Sequence, residues 1–149
     1  MSLTEKISAD LITAMKTKNT VALEAIRATK TAFTLARSDK GADSVLTSDE
    51  ELKIIQKLVK QRRESAVIYK ENNRLDLYEK ETTEADVLEK YLPAKLSEAE
   101  LEKVLKDIIA RTGAKSPADM GKVMGIATKE LAGKAEGKEI SAKVRQLLG

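Results

Sequence analysis

Apolar residues recur every three or four positions along almost the whole chain, which is the spacing of a helix with one buried face. Ser2 and Glu5 stand in the S-x-x-E spacing of a capping box, so we predict that the first helix starts near Ser2. Polar residues 16–19 interrupt the pattern, and a second helix is predicted from about Thr20. The first apolar stripe consists of Leu3, Ile7, Leu11 and Met15.

The second and third helices are separated by a polar stretch, residues 38–47, which is predicted to be a loop. Ser48 and Glu51 form a second capping box and are predicted to start the third helix. The second helix carries Ala22, Ile26, Thr29, Phe33 and Ala36 along one face. The stripe of the third helix runs through Leu52, Ile55, Leu58, Val59, Arg62, Ala66 and Tyr69.

The adjacent asparagines Asn72 and Asn73 predict a break before a fourth helix. Residues 81–84 fit the stripe of that helix poorly, which leaves a second break in its middle open. Pro93 is predicted to end this part of the chain, because the residue before a proline disfavours helical geometry. The stripe of the fourth helix consists of Leu75, Tyr78, Ala85, Leu88 and Tyr91.

The last third of the chain predicts three shorter helices. Ser97 and Glu100 form a third capping box, and Gly113 is a natural residue just past the end of that helix. Ser116 followed by Pro117 is predicted to start the next helix. The three stripes are Leu101, Val104, Leu105, Ile108 and Ile109, then Met120, Val123, Met124, Ala127 and Leu131, then Ile140, Val144, Leu147 and Leu148.

The fold class is therefore predicted to be all-α, since no stretch alternates apolar and polar residues for long enough to indicate a strand. An N-terminal four-helix unit, residues 1–92, is followed by a small C-terminal three-helix domain, residues 97–149, and residues 93–96 link the two. The length of 149 residues suits one average domain or two small helical units.

Two absences from the composition narrow the chemistry. The chain has neither cysteine nor histidine, which excludes disulfides, thiolate nucleophiles, the usual zinc sites and every Ser-His or Cys-His dyad. The carboxylates Glu79, Glu81 and Glu84 cluster in the sequence. No apolar or aromatic residue beside them would raise the pKa of one of them, as a general acid requires. We expect no catalytic residue, no metal and no cofactor.

The chain shows no sign of membrane insertion or export. No apolar run approaches the roughly 18 residues of a transmembrane helix. The N-terminal residues 1–5 lack the basic segment and apolar core of a signal peptide. The default expectation is a cytoplasmic protein without membrane contact.

Charge is divided unevenly along the chain. Residues 1–92 hold 16 basic and 16 acidic side chains, whereas residues 93–149 hold 11 basic and 8 acidic ones. From Arg111 to the end the numbers are 8 and 4. A local positive surface suggests a polyanionic partner. Lysines that merely keep the surface soluble are an equally open explanation.

The segment 133–138 resembles a phosphate loop only loosely. Three residues, not four, separate its glycines, and Glu139 stands where a P-loop has serine or threonine, so we do not expect nucleotide hydrolysis. Gly137 precedes a helix whose first N–H groups lack partners, and Lys134 and Lys138 flank it, an arrangement that attracts phosphate. A plain turn between helices is the alternative.

Gly121 and Gly125 lie four residues apart on one predicted helical face, next to Lys122. Glycine inside a helix costs roughly 0.5–1 kcal/mol relative to alanine. Two glycines therefore indicate that something approaches the backbone closely, either a neighbouring helix or an RNA backbone or partner chain. Together with the 133–138 segment, the predicted RNA-binding residues are Gly121, Lys122, Gly125, Lys134, Gly137 and Lys138.

Arg62 falls on an apolar stripe, which is unusual for a surface charge. We expect it to pair with a carboxylate of the fourth helix, namely Asp76, Glu81 or Glu84. The predicted structural polar cluster consists of Arg62, Arg63, Arg74 and Glu81. The four aromatic side chains are scattered at core-like positions, which argues against recognition of single strands by stacking.

Six motifs resemble those of the YqeY family and follow one another in the order found in that family. The resemblance covers nearly the whole chain. Glu136 departs from the pattern, where the family more often has Asp, and so do Asn72 and Asn73, where a small residue and Gly are more usual. The motifs are KQRRES at 60–65, RLDL at 74–77, EKE at 79–81, YLP at 91–93, DMGKVMG at 119–125 and GKAEGK at 133–138.

The resemblance implies a function connected with tRNA. YqeY proteins are free-standing bacterial proteins similar to the C-terminal tail of the GatB subunit of tRNA-dependent amidotransferase, and a related domain is appended to some glutaminyl-tRNA synthetases. The resemblance implies a two-part helical fold and a link to glutamine-dependent amidation of misacylated tRNA, a carbon–nitrogen ligase activity with glutamine as amido donor. The catalytic domain of that enzyme is absent from these 149 residues.

We therefore expect a helical module that binds tRNA through its phosphate backbone, or that associates with the tRNA amidotransferase or an aminoacyl-tRNA synthetase. We do not expect it to be catalytic alone. The C-terminal unit would hold the RNA. The alternative is a protein–protein adaptor with no RNA contact.

Overall fold

The computed structural model describes residues 2–149, which form seven α-helices and one short 3₁₀ helix and contain no strand. The predicted all-α fold class is confirmed. The helices are α1 Leu3–Lys16, α2 Thr20–Lys40, α3 Ser48–Glu71, α4 Leu75–Glu89, α5 Glu98–Thr112, α6 Met120–Glu130 and α7 Gly137–Leu148, and the 3₁₀ helix Pro117–Asp119 precedes α6.

The chain divides into two compact units. Unit 1 extends to Leu92 and contains α1 to α4, and unit 2, Pro93–Gly149, contains α5 to α7. Residues 93–96, which the sequence assigned to a linker, are part of unit 2. Within it, Leu96 packs against the core and its N–H donates to the carbonyl oxygen of Lys134 at 3.1 Å.

The core of unit 1 receives side chains from all four of its helices, among them Ile7, Ile26, Phe33, Ile55 and Leu88. Burial of each such side chain contributes about 1.5–3 kcal/mol. Met15 and Leu75, which the sequence placed on buried stripes, are 53% and 60% exposed. The physical reason in α1 is that steps of four residues drift by about 40° each from the helical repeat. Ala14 is therefore buried in place of Met15.

The core of unit 2 follows the three predicted stripes closely. Leu105, Ile108, Val123 and Val144 are completely buried, and less buried apolar residues such as Met120 pack against them. α5 ends at Gly113, whose φ of 70° is left-handed, as the sequence predicts for a residue at this position. One difference is that α6 does not begin at Pro117, because the first three residues form the 3₁₀ helix.

Two of the three predicted capping boxes are confirmed. At the starts of α1 and α5, Ser2 and Ser97 each accept a hydrogen bond from the backbone three residues ahead, and the glutamate at that position bonds back. The box predicted at Ser48 and Glu51 is wrong by one residue, because Thr47 caps α3 and accepts the N–H of Glu50 at 3.1 Å.

The helix limits differ from the sequence analysis at two further places. α4 is continuous through residues 81–84, so the second break that the sequence left open does not occur there. The reason is that Glu84, at 5% exposure, is a buried member of the helix and not a loop residue. α2 also continues to Lys40, three residues into the predicted loop, before Gly41 ends it.

Candidate nucleic-acid interface

The outward face of α6 combines glycine and lysine. Gly121, Lys122, Gly125 and Lys129 are all exposed. A Cβ built on either glycine would meet no atom within 4 Å among the described residues. The explanation that a neighbouring helix of unit 2 packs on these glycines is therefore wrong. The glycines leave the backbone of α6 open to an external surface.

The turn after α6 is held by its own backbone. Leu131 caps α6, Gly133 adopts a left-handed φ of 76°, and the N–H groups of Lys134 and Ala135 both donate to the carbonyl oxygen of Leu131. The carbonyl of Lys134 accepts the N–H of Leu96. These bonds fix the backbone of Lys134 while its side chain stays exposed.

The start of α7 presents open donors together with acidic groups. Gly137 is the first residue of α7, so it lies in the helix and not in the turn, and Lys138 is exposed in the first helical turn. Glu136 at the N-cap makes no side-chain capping bond. Glu139 belongs to the same turn and pairs with Lys95 at 3.2 Å. This carboxylate offsets part of the positive potential of the helix end.

The six predicted RNA-binding residues form two groups and not one compact cluster. Gly121, Lys122 and Gly125 lie in the first half of α6, whereas the other three follow its last turn. With a rise of 1.5 Å per residue, about 14 Å of helix separates Gly121 from Glu130. Lys129 lies seven residues after Lys122, on the same face, and extends the first group towards the turn.

Five exposed cations of α6, the following turn and α7 have no ion pair. By contrast, Lys95, Lys106, Arg111 and Lys143 of unit 2 each have a carboxylate between 2.8 and 3.6 Å away. Seven cations of unit 2 have no carboxylate of residues 2–149 within 4.0 Å. Two of them, Lys103 and Lys115, precede α6, and the other five are Lys122, Lys129, Lys134, Lys138 and Arg145. We call these five residues the basic face.

Nearby carboxylates remain ionised and temper the basic face. The Arg111 guanidinium, followed by Lys134, lowers the pKa of Glu130. The backbone N–H of Lys115 is the main cause of the lowered pKa of Asp119, to which Lys122 adds. Glu130 is held by Arg111 at 2.8 Å, so Lys134 shares this carboxylate with a closer cation.

Comparison with known proteins decides the family. The sequence model of the family described as Yqey-like protein matches residues 4–148. The chain belongs to the YqeY family. A relative is the protein named Altered inheritance of mitochondria protein 41, mitochondrial, from Pyrenophora tritici-repentis (strain Pt-1C-BFP), which is 31% identical over 150 residues, covering 97% of this chain and 80% of the relative.

The family name does not by itself assign a compartment or a chemistry. No helix within residues 2–149 is long and apolar enough to cross a membrane. Across the same residues there is no group of three or more acidic side chains that could hold a metal ion. The cytoplasmic location expected from the sequence stays a prediction for this YqeY chain.

The polar residues predicted as one cluster in unit 1 of the YqeY chain lie in separate ion pairs. Arg62 approaches Glu84, one of its three predicted partners, at 3.7 Å. Arg63 bridges two other carboxylates of α4, Asp86 at 2.7 Å and Glu89 at 2.6 Å. Arg74 pairs with Asp76, its neighbour in sequence, and Glu81 is half-buried outside these pairs.

The expectation that no carboxylate of α4 has a raised pKa is wrong for Glu84. Burial raises the pKa of Glu84, and Arg62 acts in the opposite direction. This effect follows from packing within the α3–α4 hairpin, which no residue beside Glu84 in the sequence indicates. Glu84 faces the Arg62 guanidinium, an arrangement that fits a structural ion pair.

Sequence reasoning missed two residues of the basic face. Lys129 follows Lys122 by seven residues, and Arg145 follows Lys138 by seven, so each pair shares one face of its helix. That spacing was a sufficient signal to find them. What sequence could not supply was the ion pairing that distinguishes Arg145 from Lys143, two residues earlier in α7 and bound to Glu98.

Proposed function

We propose that this protein is a tRNA-binding module, associated by family with glutamine-dependent amidation of tRNA, and that unit 2 binds the phosphate backbone. The observation that carries the proposal is the basic face, five exposed cations along α6, the turn and α7 that lack carboxylate partners. Phosphate contacts by such side chains supply sequence-independent affinity and position a protein on its nucleic acid.

The open backbone of α6 suits such a partner. Because Gly121 and Gly125 carry no side chain, and a Cβ there would meet no atom of the described part of unit 2 within 4 Å, a sugar–phosphate backbone approaches α6 more closely than it would a surface of alanines. Few aromatic rings are available for stacking, since the protein has one Phe, three Tyr and no Trp. Recognition by backbone and shape is the mode that remains.

The protein would act without catalysing the amidation itself. It lacks histidine and cysteine, and the two carboxylates that line a cleft of unit 2, Glu98 and Glu139, are paired with Lys143 and Lys95. The carbon–nitrogen ligase step would belong to a partner, an amidotransferase or an aminoacyl-tRNA synthetase. The cytoplasm is the compartment in which we expect this association.

The test is a titration of the full-length protein with unmodified tRNA at two salt concentrations. We expect saturable binding that weakens steeply as salt rises, because counterions are released from the phosphates that the basic face contacts. Binding that is absent at low salt, or that ignores salt, contradicts the proposal.

A second candidate function, a protein–protein adaptor, is supported by a separate observation. Val67 and Ile68 near the end of α3, and Leu75 at the start of α4, are 56%, 56% and 60% exposed. They lie at the tip of the α3–α4 hairpin, and residues 67–83 contribute nothing to the core cluster of unit 1. Exposed aliphatic side chains grouped in this way are typical of contact surfaces. Failure of tRNA binding would favour this function.

A further inference from the structure

Unit 1 contains a groove that the proposed function does not use. The groove lies between α1, the start of α2 and the end of α4, is open to solvent and has a volume of about 480 Å³. Its floor is apolar, with Ala14, Ala22 and Ile26 buried and Val87 beside them. The two alanines leave depth that larger side chains would fill. We call this feature the α1–α4 groove.

A carboxylate and a phenol meet on the wall of the α1–α4 groove. The Tyr91 O–H donates a short hydrogen bond to Oδ2 of Asp10. Burial, and then this bond, raise the pKa of Tyr91, so the phenol stays protonated and keeps donating at neutral pH. The other carboxylate oxygen of Asp10 receives no hydrogen bond from the described part of the chain. Because Asp10 lines the groove, this oxygen is an open acceptor at its wall.

Two ammonium groups make the α1–α4 groove positive. Lys6 and Lys90 both line it. Neither has a carboxylate within 4.0 Å among residues 2–149, and Lys6 Nζ lies 5.9 Å from the centre of the Tyr91 ring. With Asp10 as the one carboxylate of the lining, the groove carries an excess of one positive charge. An anionic group is the complement.

We propose that the α1–α4 groove binds a nucleoside monophosphate unit whose base carries an exocyclic amino group. Lys6 and Lys90 hold the phosphate, the apolar floor receives the base, and the open Asp10 oxygen accepts a hydrogen bond from the amine. Ammonium groups are effective point charges for phosphate. The volume lies within the range of about 300–1,000 Å³ that is typical of small-molecule sites. The same chemistry comes from a free nucleotide or from the end of an RNA strand.

The test uses adenosine monophosphate and the full-length protein, with calorimetry for affinity and amide NMR shifts for location. We expect binding at millimolar concentrations or below, with shifts at Lys6, Asp10 and Tyr91. The double variant K6Q/K90Q removes two charged contacts and is expected to weaken binding at least roughly tenfold. K53Q/K57Q, which changes two exposed lysines of α3 outside the groove, is the matched control and retains affinity. No binding, or shifts confined to unit 2, overturns the proposal.

A second, independent experiment tests whether Asp10 recognises the exocyclic amine. Uridine monophosphate has no exocyclic amine, so the native protein is expected to bind it more weakly than the adenosine compound. D10N keeps an acceptor for Tyr91 and loses the open one, so this preference is expected to disappear. A preference that D10N leaves unchanged contradicts the role of Asp10.

The source of the nucleotide and the independence of this groove are tested together. A short single-stranded RNA that binds tighter than the mononucleotide, and loses that binding in K6Q/K90Q, identifies an RNA end as the ligand, whereas equal or weaker binding identifies the free nucleotide. K134Q/K138Q is expected to leave adenosine monophosphate binding unchanged, because these lysines belong to the basic face of unit 2. A loss of nucleotide binding in K134Q/K138Q contradicts the assignment of the site to unit 1.

Discussion

Arg62 and Glu84 face each other within the α3–α4 hairpin, with Arg62 Nε 3.7 Å from Glu84 Oε2. Their side chains are 15% and 7% exposed. Arg62 Nε has no hydrogen-bond partner among the described residues, and Nη1 donates to the Leu58 carbonyl at 3.4 Å. A buried pair with an unsatisfied donor contributes little net stability, because desolvation offsets the attraction.

Breaking this pair from one side is expected to be costly. R62M leaves Glu84 buried without its cation and is expected to lower the free energy of unfolding by about 3–5 kcal/mol. R62M/E84L, which removes both charges, is expected to recover most of that loss. Urea unfolding followed by circular dichroism measures both. A single variant as stable as the native protein contradicts the account of this pair.

The raised pKa of Glu84 gives stability a pH dependence. Because this pKa lies above its ordinary value of 4.5, the folded protein binds more protons at Glu84 than the unfolded chain does between these two values. The contribution of Glu84 therefore falls as pH rises from about 4.5 and reaches its minimum above the raised pKa. E84Q lacks this contribution, so native stability minus E84Q stability is expected to decrease over that range. Urea unfolding midpoints of both proteins at several pH values test this prediction. A stability difference that increases with pH contradicts it.

The correction at the start of α3 is directly testable. Thr47 accepts the N–H of Glu50, so T47A is expected to cost about 1 kcal/mol of unfolding free energy, the typical value of an N-cap. S48A is the matched control, since Ser48 is exposed and does not cap the helix, and it is expected to change stability by no more than about 0.5 kcal/mol. Thermal or urea unfolding of the two variants decides. A larger loss of stability in S48A than in T47A would identify Ser48 as the cap and contradict this assignment.

Local signals in the sequence were enough for most of the fold. Ser97 and Glu100 start α5 and Gly113 ends it because these features depend on neighbouring residues alone. The error at Met15 arose because a list of i+4 steps ignores rotation around the helix. The burial of Glu84 depends on Arg62, 22 positions earlier, and on the pairing of two helices, which no local pattern contains.

The candidate site was predicted only in outline, because its residues form a local motif but their ion pairing depends on distant residues. The glycines and lysines of α6 and α7 are visible as a motif, but whether a cation is free depends on distant partners. Lys143 reaches Glu98, 45 positions away, whereas Lys138 in the same helix has no partner within residues 2–149. The Asp10–Tyr91 contact spans 81 positions and was likewise invisible to sequence reasoning.

A substitution at Gly125 tests whether the tRNA backbone approaches α6 closely, without changing the charge of the protein. G125L is expected to weaken tRNA binding by steric bulk without changing the salt dependence. It is also expected to stabilise α6 by up to about 1 kcal/mol, since a Cβ there meets nothing and leucine is the better helix former. A110L, on the exposed side of α5, is the control and retains binding. Binding by G125L equal to that of the native protein shows that nothing approaches this face closely.

The most direct test of the central claim is the salt dependence of tRNA binding by K134Q/K138Q compared with the native protein. Each phosphate contact that is lost is expected to flatten the slope of log K against log salt by about 0.7–0.9, with little change in melting temperature, because both lysines are exposed. K53Q/K57Q controls for net charge and is expected to keep the native slope. A weaker, flatter titration in K134Q/K138Q alone supports a phosphate-binding face in unit 2. Unchanged affinity and slope in a folded variant contradict it.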